Sequence, residues 1–430
     1  MIQLNCSFTR RFAIPALAFA FIAFSGGVLH AARTCDPHAF GAKGDGTTKD
    51  TVAIQGAIDA CAAQGGGTVP LTSGTYLSAP IVLKSNITLH LDKGATLLGS
   101  PDHGDYPNKT EFRLPAVQSL ISALNAENIT ISGDGVIDGQ GESWWAMART
   151  VSGAGIMGNH PRPRLIVFDH CRHVRIEGIT AQNSPFWQIV PYYSDDVTIH
   201  NIRVLAPQHS PNTDAVDPFS SSNVHIDHLY ADTGDDNIAI KSGAINSPGG
   251  DDPSRDITIT DCTFMHGHGL SIGSEIAGGA HNIVAERIHF EGTDNGIRVK
   301  ANRDRGNDVS NLTFRDIDMK DVANPLVVSE YYPRILPPEG TVESQPVTRL
   351  TPHFHDITFE NITATGGRMA GAIVGLPEAP VDNVVLKNVK LAGKTGLSIG
   401  YANVTATGVT VDAEQGEKII KMAGANFTLK

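Results

Sequence analysis

Three carboxylates, one imidazole and two cations recur through the middle of this 430-residue chain at similar intervals. Asp214 closes the run Asn212-Thr213-Asp214, and Asp235, in Gly234-Asp235-Asp236, lies 21 residues further on. His268 follows 33 residues after Asp235, and Arg298 and Lys300 come 30 and 32 residues after His268. If the chain coils with a period near these steps, the six side chains stack on one face of adjacent turns. Coils of β-structure stack about 4.8 Å apart, so Asp214 and the Asp235-Asp236 pair would be neighbours. Carboxylates held that close cannot all ionise easily. One keeps its proton near neutral pH while another stays charged, which supplies a general acid and a general base, the combination glycoside hydrolysis uses. A lone Asp-Asp pair is usually a solvated turn, so the weight rests on the shared register.

The elements that would position these residues are visible independently. Short Ile/Val/Leu-rich stretches, mostly opened by Asn or Asp, recur at Asn86–Leu89, Asn128–Ile131, Val174–Ile176, Val197–Ile199, Val224–Ile226, Ile257–Ile259, Ile283–Val284, Leu312–Phe314, Ile357–Phe359, Val384–Leu386 and Val404–Thr405. From Val174 to Leu312 the steps are 23, 27, 33, 26 and 29 residues; the next is 45, and the last two are 27 and 20. Period-2 alternation at such steps predicts an all-β solenoid, a right-handed parallel β-helix whose hand follows the crossover preference. A propeller needs blades of about 40 residues or more, and these coils are shorter. Solenoids grow by adding coils, so residues 33–430 are expected to form one domain despite their length. The 44 glycines are spread along the chain, as corners requiring positive φ would demand.

Arg10 and Arg11 precede an apolar run from Phe12 to Leu29 that ends near Ala31-Ala32, the pattern of a cleaved export signal over residues 1–32. The twin arginines fit a twin-arginine route only in part. A secreted, extracellular or periplasmic, monomer is expected. Four cysteines remain after cleavage. Cys35 and Cys61 are expected to form a disulfide in an oxidising compartment, and Cys171 and Cys262 to be buried thiols. The one clear helix lies between the first two, with Ile54, Ala57, Ile58 and Cys61 on one face and Asp50 as its cap. It would close the open end of the solenoid. A net charge of −12 without a basic stripe argues against nucleic acid and anionic membranes as partners. An anionic polysaccharide remains compatible, because a few placed cations outweigh a diffuse acidic surface at short range. No cysteine or histidine spacing reads as a zinc site.

Asn212-Thr213-Asp214, Gly234-Asp235-Asp236, Gly267-His268-Gly269 and Arg298-Val299-Lys300, in this order and spacing, resemble the four signature motifs of the polygalacturonases of glycoside hydrolase family 28. Flanking segments resemble them too, among them Ile137-Asp138-Gly139-Gln140-Gly141 with Trp144-Trp145, Asn183-Ser184-Pro185-Phe186-Trp187 and Gly269 through Glu275. The likeness runs from about Cys35 to the C-terminus and is closest to bacterial secreted members. It implies hydrolysis of α-1,4 links of pectate with inversion and without a metal or other cofactor. Carried over, Asp235 is the general acid and Asp214 and Asp236 together activate the water. His268 would hydrogen-bond within the cluster and keep the acid protonated, or else simply fill a glycine-flanked corner. Arg298 and Lys300 alternate along one strand and would face a substrate carboxylate together, or form a surface ion pair. Tyr332, beside Tyr331, resembles the family's sugar-contacting tyrosine. Gln208 and Asn212 would line the groove, although Asn212 could stack in an asparagine ladder instead.

Two positions depart from the pattern. Ala215 stands where a glycine is usual, which costs little unless the site needs positive φ, and Asn237 follows the Asp pair where fungal members tend to have Cys. Three rival readings have separate signatures. Pectate lyases are β-helices that use calcium and release an unsaturated product. A rhamnogalacturonan hydrolase would lack the His268 and Arg298-Lys300 motifs, and a polysaccharide-binding or adhesin β-helix would have no turnover at all.

Overall fold

The computed structural model describes residues 33–111, 114–150 and 161–430. The export signal expected over residues 1–32 lies outside the described residues. Among those described, no helix is long and apolar enough to cross a membrane.

The chain winds as a parallel β-helix. Val174 pairs in register with Val197, Val197 with Val224, and the column continues through Ile257, Ile283, Leu312, Ile357, Val384 and Val404. Each is the apolar centre of one of the periodic stretches. Every stretch therefore forms the same strand of successive coils. Strand Ile87–Leu91 shows the pattern in miniature, with Ile87, Leu89 and Leu91 fully buried and Thr88 and His90 half-buried between them. A second row of strands includes Ala95–Gly99, Val136–Asp138, Thr180–Gln182, Arg203–Leu205 and Tyr230–Asp232. A third includes Ile121–Leu124, Ile166–Asp169 and Ile189–Tyr192, and then Ile238–Ile240, Leu270–Ile272, Asn295–Lys300 and Asn324–Ser329. One continuous apolar core runs from Cys35 to Val411. Only Asn108–Glu111 and Leu114–Val117 pair antiparallel among the described residues.

The corner before the first row is formed by the Asn and Asp residues that open most of the periodic stretches. Asn86, Asn128, Asn223, Asp256, Asn282, Asn311, Asp356 and Asn383 all adopt positive φ there. Asn and Asp tolerate that region because their short polar side chains bond locally. Stacked one coil apart, they also bond to each other: Asn128 Nδ2 donates to Asn86 Oδ1 at 2.8 Å and Asn311 Nδ2 to Asn282 Oδ1 at 3.3 Å.

The N-terminal cap is helix α1, Thr51–Ala62, which buries Ala53, Ile54, Ala57, Ile58 and Cys61. Cys35 and Cys61 form the expected disulfide across 26 positions, a constraint worth about 3–4 kcal/mol through the unfolded chain. Cys171 and Cys262 are free and buried. Asp50 stands at the N-cap position as the sequence suggests, but its side chain makes no capping bond. Its φ of −88° and ψ of 3° are not those of a usual capping residue, and its carboxylate accepts the Lys43 and Gly44 amides at 2.7 and 2.9 Å instead. Helix α2, Glu142–Thr150, is not anticipated from the sequence, although its nine residues place Trp144, Trp145 and Ala148 at helical spacing and bury them. Trp144 and Trp145 anchor it, the latter by an Nε1 bond to Ser184 O at 3.0 Å.

Candidate active site

The third row and the turns that lead into it gather the six motif residues. Val216 bridges Ile238, and the Ala215 amide donates to Asp236 O at 2.9 Å, so Asp214 and Asp236 sit at matching positions one coil apart. Leu270 pairs with both Ile238 and Ile297, which brings His268 and the Arg298 strand over the next two coils.

Asp236 is 2% exposed and held by cations. Arg298 Nη2 donates to its Oδ1 at 2.6 Å, Lys300 Nζ to its Oδ2 at 2.9 Å, and Ser271 Oγ to Oδ1 at 2.8 Å. Burial pushes this carboxyl up, but Lys300 and Arg298 outweigh it and hold it far below the usual carboxylate range. The two cations thus share a face, as alternation requires, and both already rest on Asp236.

Asp235 is the part of the pair that reaches open space. It lines a cavity of about 460 Å³ together with Gln208, Asn212, Gly234, His268 and Asp294. Asp235 Oδ1 lies 3.0 Å from His268 Nδ1, whose Nε2 is 3.4 Å from Asp294 Oδ2. Here the structure departs from the expectation that His268 keeps Asp235 protonated. Burial raises the Asp235 carboxyl, yet the His268 bond and charge overcome it and leave Asp235 below its ordinary value. Burial lowers His268 in turn, and Asp235 more than restores it, so the imidazole is raised. Their contact thus favours the carboxylate of Asp235 and the protonated imidazole of His268.

Asp214 behaves oppositely. It is 2% exposed, its Oδ1 has no hydrogen-bond partner, and burial followed by the charges of Asp235 and Asp217 raises it well above the ordinary carboxylate value. Its nearest cation is Lys241, 3.7 Å from Asp214 Oδ2, 3.7 Å from Asp217 Oδ1 and 3.6 Å from Glu275 Oε2. Burial pushes Asp217 up to about 7 despite Lys241. Asp214 and Asp236 are thus shifted in opposite directions, and the carboxyl raised by its surroundings is Asp214 and not the Asp235 expected to act as the acid.

Three further placements resolve alternatives that the sequence leaves open. Asn212 stands outside the asparagine ladder: Arg162 Nη2 donates to its Oδ1 at 2.7 Å, and its Nδ2 reaches Asp235 Oδ2 at 3.5 Å. Tyr332 faces the charge network, with Lys300 Nζ 5.4 Å and Arg305 Cζ 5.5 Å from its ring centre. Tyr331 is buried elsewhere and donates to Gly375 O at 2.8 Å. Gln208 is an exposed wall of the cavity. His268 sits between two glycines that admit no side chain. A Cβ on Gly267 would lie 2.6 Å from Asp235 O, and one on Gly269 2.1 Å from Asn295 O.

Residues 67–411 match the family described as glycosyl hydrolases family 28. The chain belongs to that family. An endo-polygalacturonase of Pectobacterium carotovorum subsp. carotovorum is 32% identical over 383 residues, covering 84% of this chain and 88% of that one. A solved exopolygalacturonase from Thermotoga maritima superposes with a TM-score of 0.75 at 29% identity, covering 90% of this chain and 91% of that chain. The polygalacturonase from Erwinia carotovora ssp. carotovora gives 0.72 at 29% identity, with 87% and 97% covered. This family 28 chain is therefore a glycoside hydrolase.

Both departures from the family pattern are accommodated in the hydrolase. Ala215 is buried and absent from the positive-φ positions, so its methyl group causes no backbone strain. Asn237 ties two coils together, donating to His266 O at 3.0 Å and accepting the Gly269 amide at 3.0 Å. It thereby fixes the His268 turn over the Asp pair. Sequence reasoning missed Lys241, Asp217 and Arg162. The signal for the first two was their position: each lies on a third-row coil, Lys241 five residues after Asp236 and Asp217 three after Asp214. Arg162 carried none, because its contacts to Asn212 and to the Pro185 and Pro211 carbonyls are all distant in sequence.

Proposed function

We propose that this family 28 hydrolase is an exported polygalacturonase that cleaves α-1,4 links between galacturonate units of pectate with inversion. The observation that carries the reading is the single cluster in which a cavity-lining Asp235–His268 dyad adjoins Asp236, itself fixed by Arg298 and Lys300. The dyad holds one proton. As the glycosidic bond lengthens, that proton passes from His268 Nδ1 to Asp235 and on to the leaving oxygen, leaving a neutral imidazole beside a carboxylate, so the general acid is the pair. Asp236, ionised, with Asp214 beside it, takes a proton from the water whose oxygen bonds to the anomeric carbon on the opposite side. A guanidinium has five N–H donors, and the contacts to Asp236 and Ser271 use two of them in Arg298. The rest suit a substrate carboxylate, which is how a chain of net charge −12 can hold an anionic polymer. Tyr332 offers a ring beside the same cations, and Gln208 and Asn212 offer amides at the cavity wall. Export is supported by the Cys35–Cys61 disulfide, which persists in oxidising compartments, and by the Arg10-Arg11 signal pattern.

The test is purified protein on de-esterified polygalacturonate with a chelator present. New reducing ends of saturated sugar, with the β-anomer appearing first, are expected. An unsaturated, ultraviolet-absorbing product would make it a lyase, and no turnover would leave a binding protein. Viscosity separates the modes of attack: a fall far ahead of reducing ends marks internal cleavage, while monomer as the sole early product marks attack from an end.

A further inference from the structure

We propose that Asp308, His353 and His355, with His281 beside them, form a binding site for one divalent transition-metal ion of the Zn²⁺ type, separate from the hydrolytic cluster. The four residues open three consecutive coils. His281 lies in Ala280–Glu291, Asp308 at the head of Asp308–Lys320, and His353 and His355 at the head of His353–Val374. Register places Asp308 opposite His353, and Ser310 opposite both His281 and His355. His353 and His355 are two apart on one strand and so share a face.

The donor atoms are already gathered. Asp308 Oδ1 lies 3.3 Å from His353 Nδ1 and 2.8 Å from His355 Nε2, and Asp308 Oδ2 lies 3.4 Å from His281 Nδ1. One ligand atom each from Asp308, His353 and His355 falls within 4.8 Å of the others. Tetrahedral zinc with bonds of about 2.0–2.2 Å needs its ligand atoms about 3.3–3.5 Å apart, so side-chain adjustments suffice. A set of imidazoles with one carboxylate suits zinc, cobalt, nickel or copper and not calcium or magnesium, which take oxygen ligands. His355 also has the outer contact that metal-binding histidines use: its Nδ1 is 2.6 Å from Asp356 Oδ2, which holds the ring with Nε2 turned towards Asp308. Ser310 Oγ steadies Asp308 Oδ2 at 3.0 Å.

A second surface cluster, His200, Asp227 and His228, likewise gathers three ligand atoms within 4.8 Å of one another. His200 and His228 both point Nδ1 at the same oxygen of Asp227, at 2.7 and 2.9 Å. No carboxylate among the described residues lies within ion-pair distance of their Nε2 atoms. At the Asp235-Asp236-His268 group, Arg298 and Lys300 already occupy both oxygens of Asp236. The Asp308 site also has a structural consequence. His353 is where the chain re-enters the solenoid after the long loop that carries Tyr332, and Asp308 is where it re-enters after Arg303 and Arg305. An ion bridging the two would fasten both returns and stabilise the native state in proportion to its binding. His353-Phe354-His355 alone is too short a signature to mark such a site in the sequence, since Asp308 is 45 residues away.

The experiment is titration of the untagged, metal-stripped chain with Co²⁺, followed by its visible absorption, and with Zn²⁺ by calorimetry. One ion per chain is expected, with a Zn²⁺-dependent rise in Tm. His353→Ala/His355→Ala should abolish the stoichiometric step, and Asp356→Asn should weaken it about 10–100-fold while leaving the ligands in place. His228→Ala should change nothing. Absence of a one-to-one step in the wild type, equal binding by the double variant, or loss of binding in His228→Ala would each overturn the proposal.

Discussion

Asp214 and Asp236 occupy matching positions on neighbouring coils, yet their surroundings push them in opposite directions. Asp236 receives three hydrogen bonds, two of them from cations supplied by the Arg298 strand two coils on. Asp214 has Lys241 at 3.7 Å, a cation it shares with Asp217 and Glu275. The repeat makes the two carboxyls neighbours. What differentiates them is the set of outward-facing residues on adjoining coils, which the repeat leaves free to vary. A solenoid can in this way place one ionised and one proton-holding acid a single rung apart without departing from its regular backbone.

Variants can break this contrast or sharpen it. The largest effect is expected at Asp235, which joins the two environments: Asp235→Asn should lower kcat by about 100-fold or more, read as reducing ends released from polygalacturonate. Retention of a tenth of the activity would remove Asp235 from proton transfer. Next is Lys241→Met, which leaves three buried acids without their common counter-charge. A loss of about 3–5 kcal/mol in urea unfolding is expected, greater at pH 8 than at pH 5 because the acids then ionise unpaired.

Asp214→Asn should act in the other direction on stability while removing activity. A carboxyl whose folded pKa exceeds its unfolded value binds more protons when folded, so its contribution to stability falls as pH rises through that interval. Removing it should therefore raise stability at pH 8 by more than about 1 kcal/mol and give no gain at pH 3, where both states are protonated. A loss at pH 8 would place an ionised Asp214 on Lys241. The smallest effect is on pH dependence. His268 is raised and so retains the dyad's proton above the usual imidazole range. In His268→Ala the proton must reside on Asp235 alone, and the alkaline limb of kcat is expected to move to lower pH. An unchanged limb would show that the imidazole does not hold the catalytic proton.

The parts of this architecture that repeat were legible in the sequence. Val174 through Val404 form one in-register column because period-2 burial fixes which face each residue takes, and a slip of one would expose every apolar side chain. The motif residues were legible for the same reason. Contacts that use no repeat were not: Arg162 reaches Asn212 across 50 positions, and the Asp50 side chain accepts the Lys43 and Gly44 amides in place of those of the helix it precedes. The direction in which the dyad's two groups are shifted was also hidden. It depends on a 3.0 Å contact between Asp235 and His268 competing with burial, and spacing carries no information about that balance.

The opposed protonation of the two stacked acids can be read directly by difference infrared spectra of isotope-labelled aspartate at about pH 5, where an unperturbed Asp is ionised. Comparing the wild type with Asp214→Asn should remove a protonated carboxyl band, and comparing it with Asp236→Asn should remove an ionised carboxylate band. Two ionised carboxylates, or the protonated band disappearing with Asp236→Asn, would contradict the assignment.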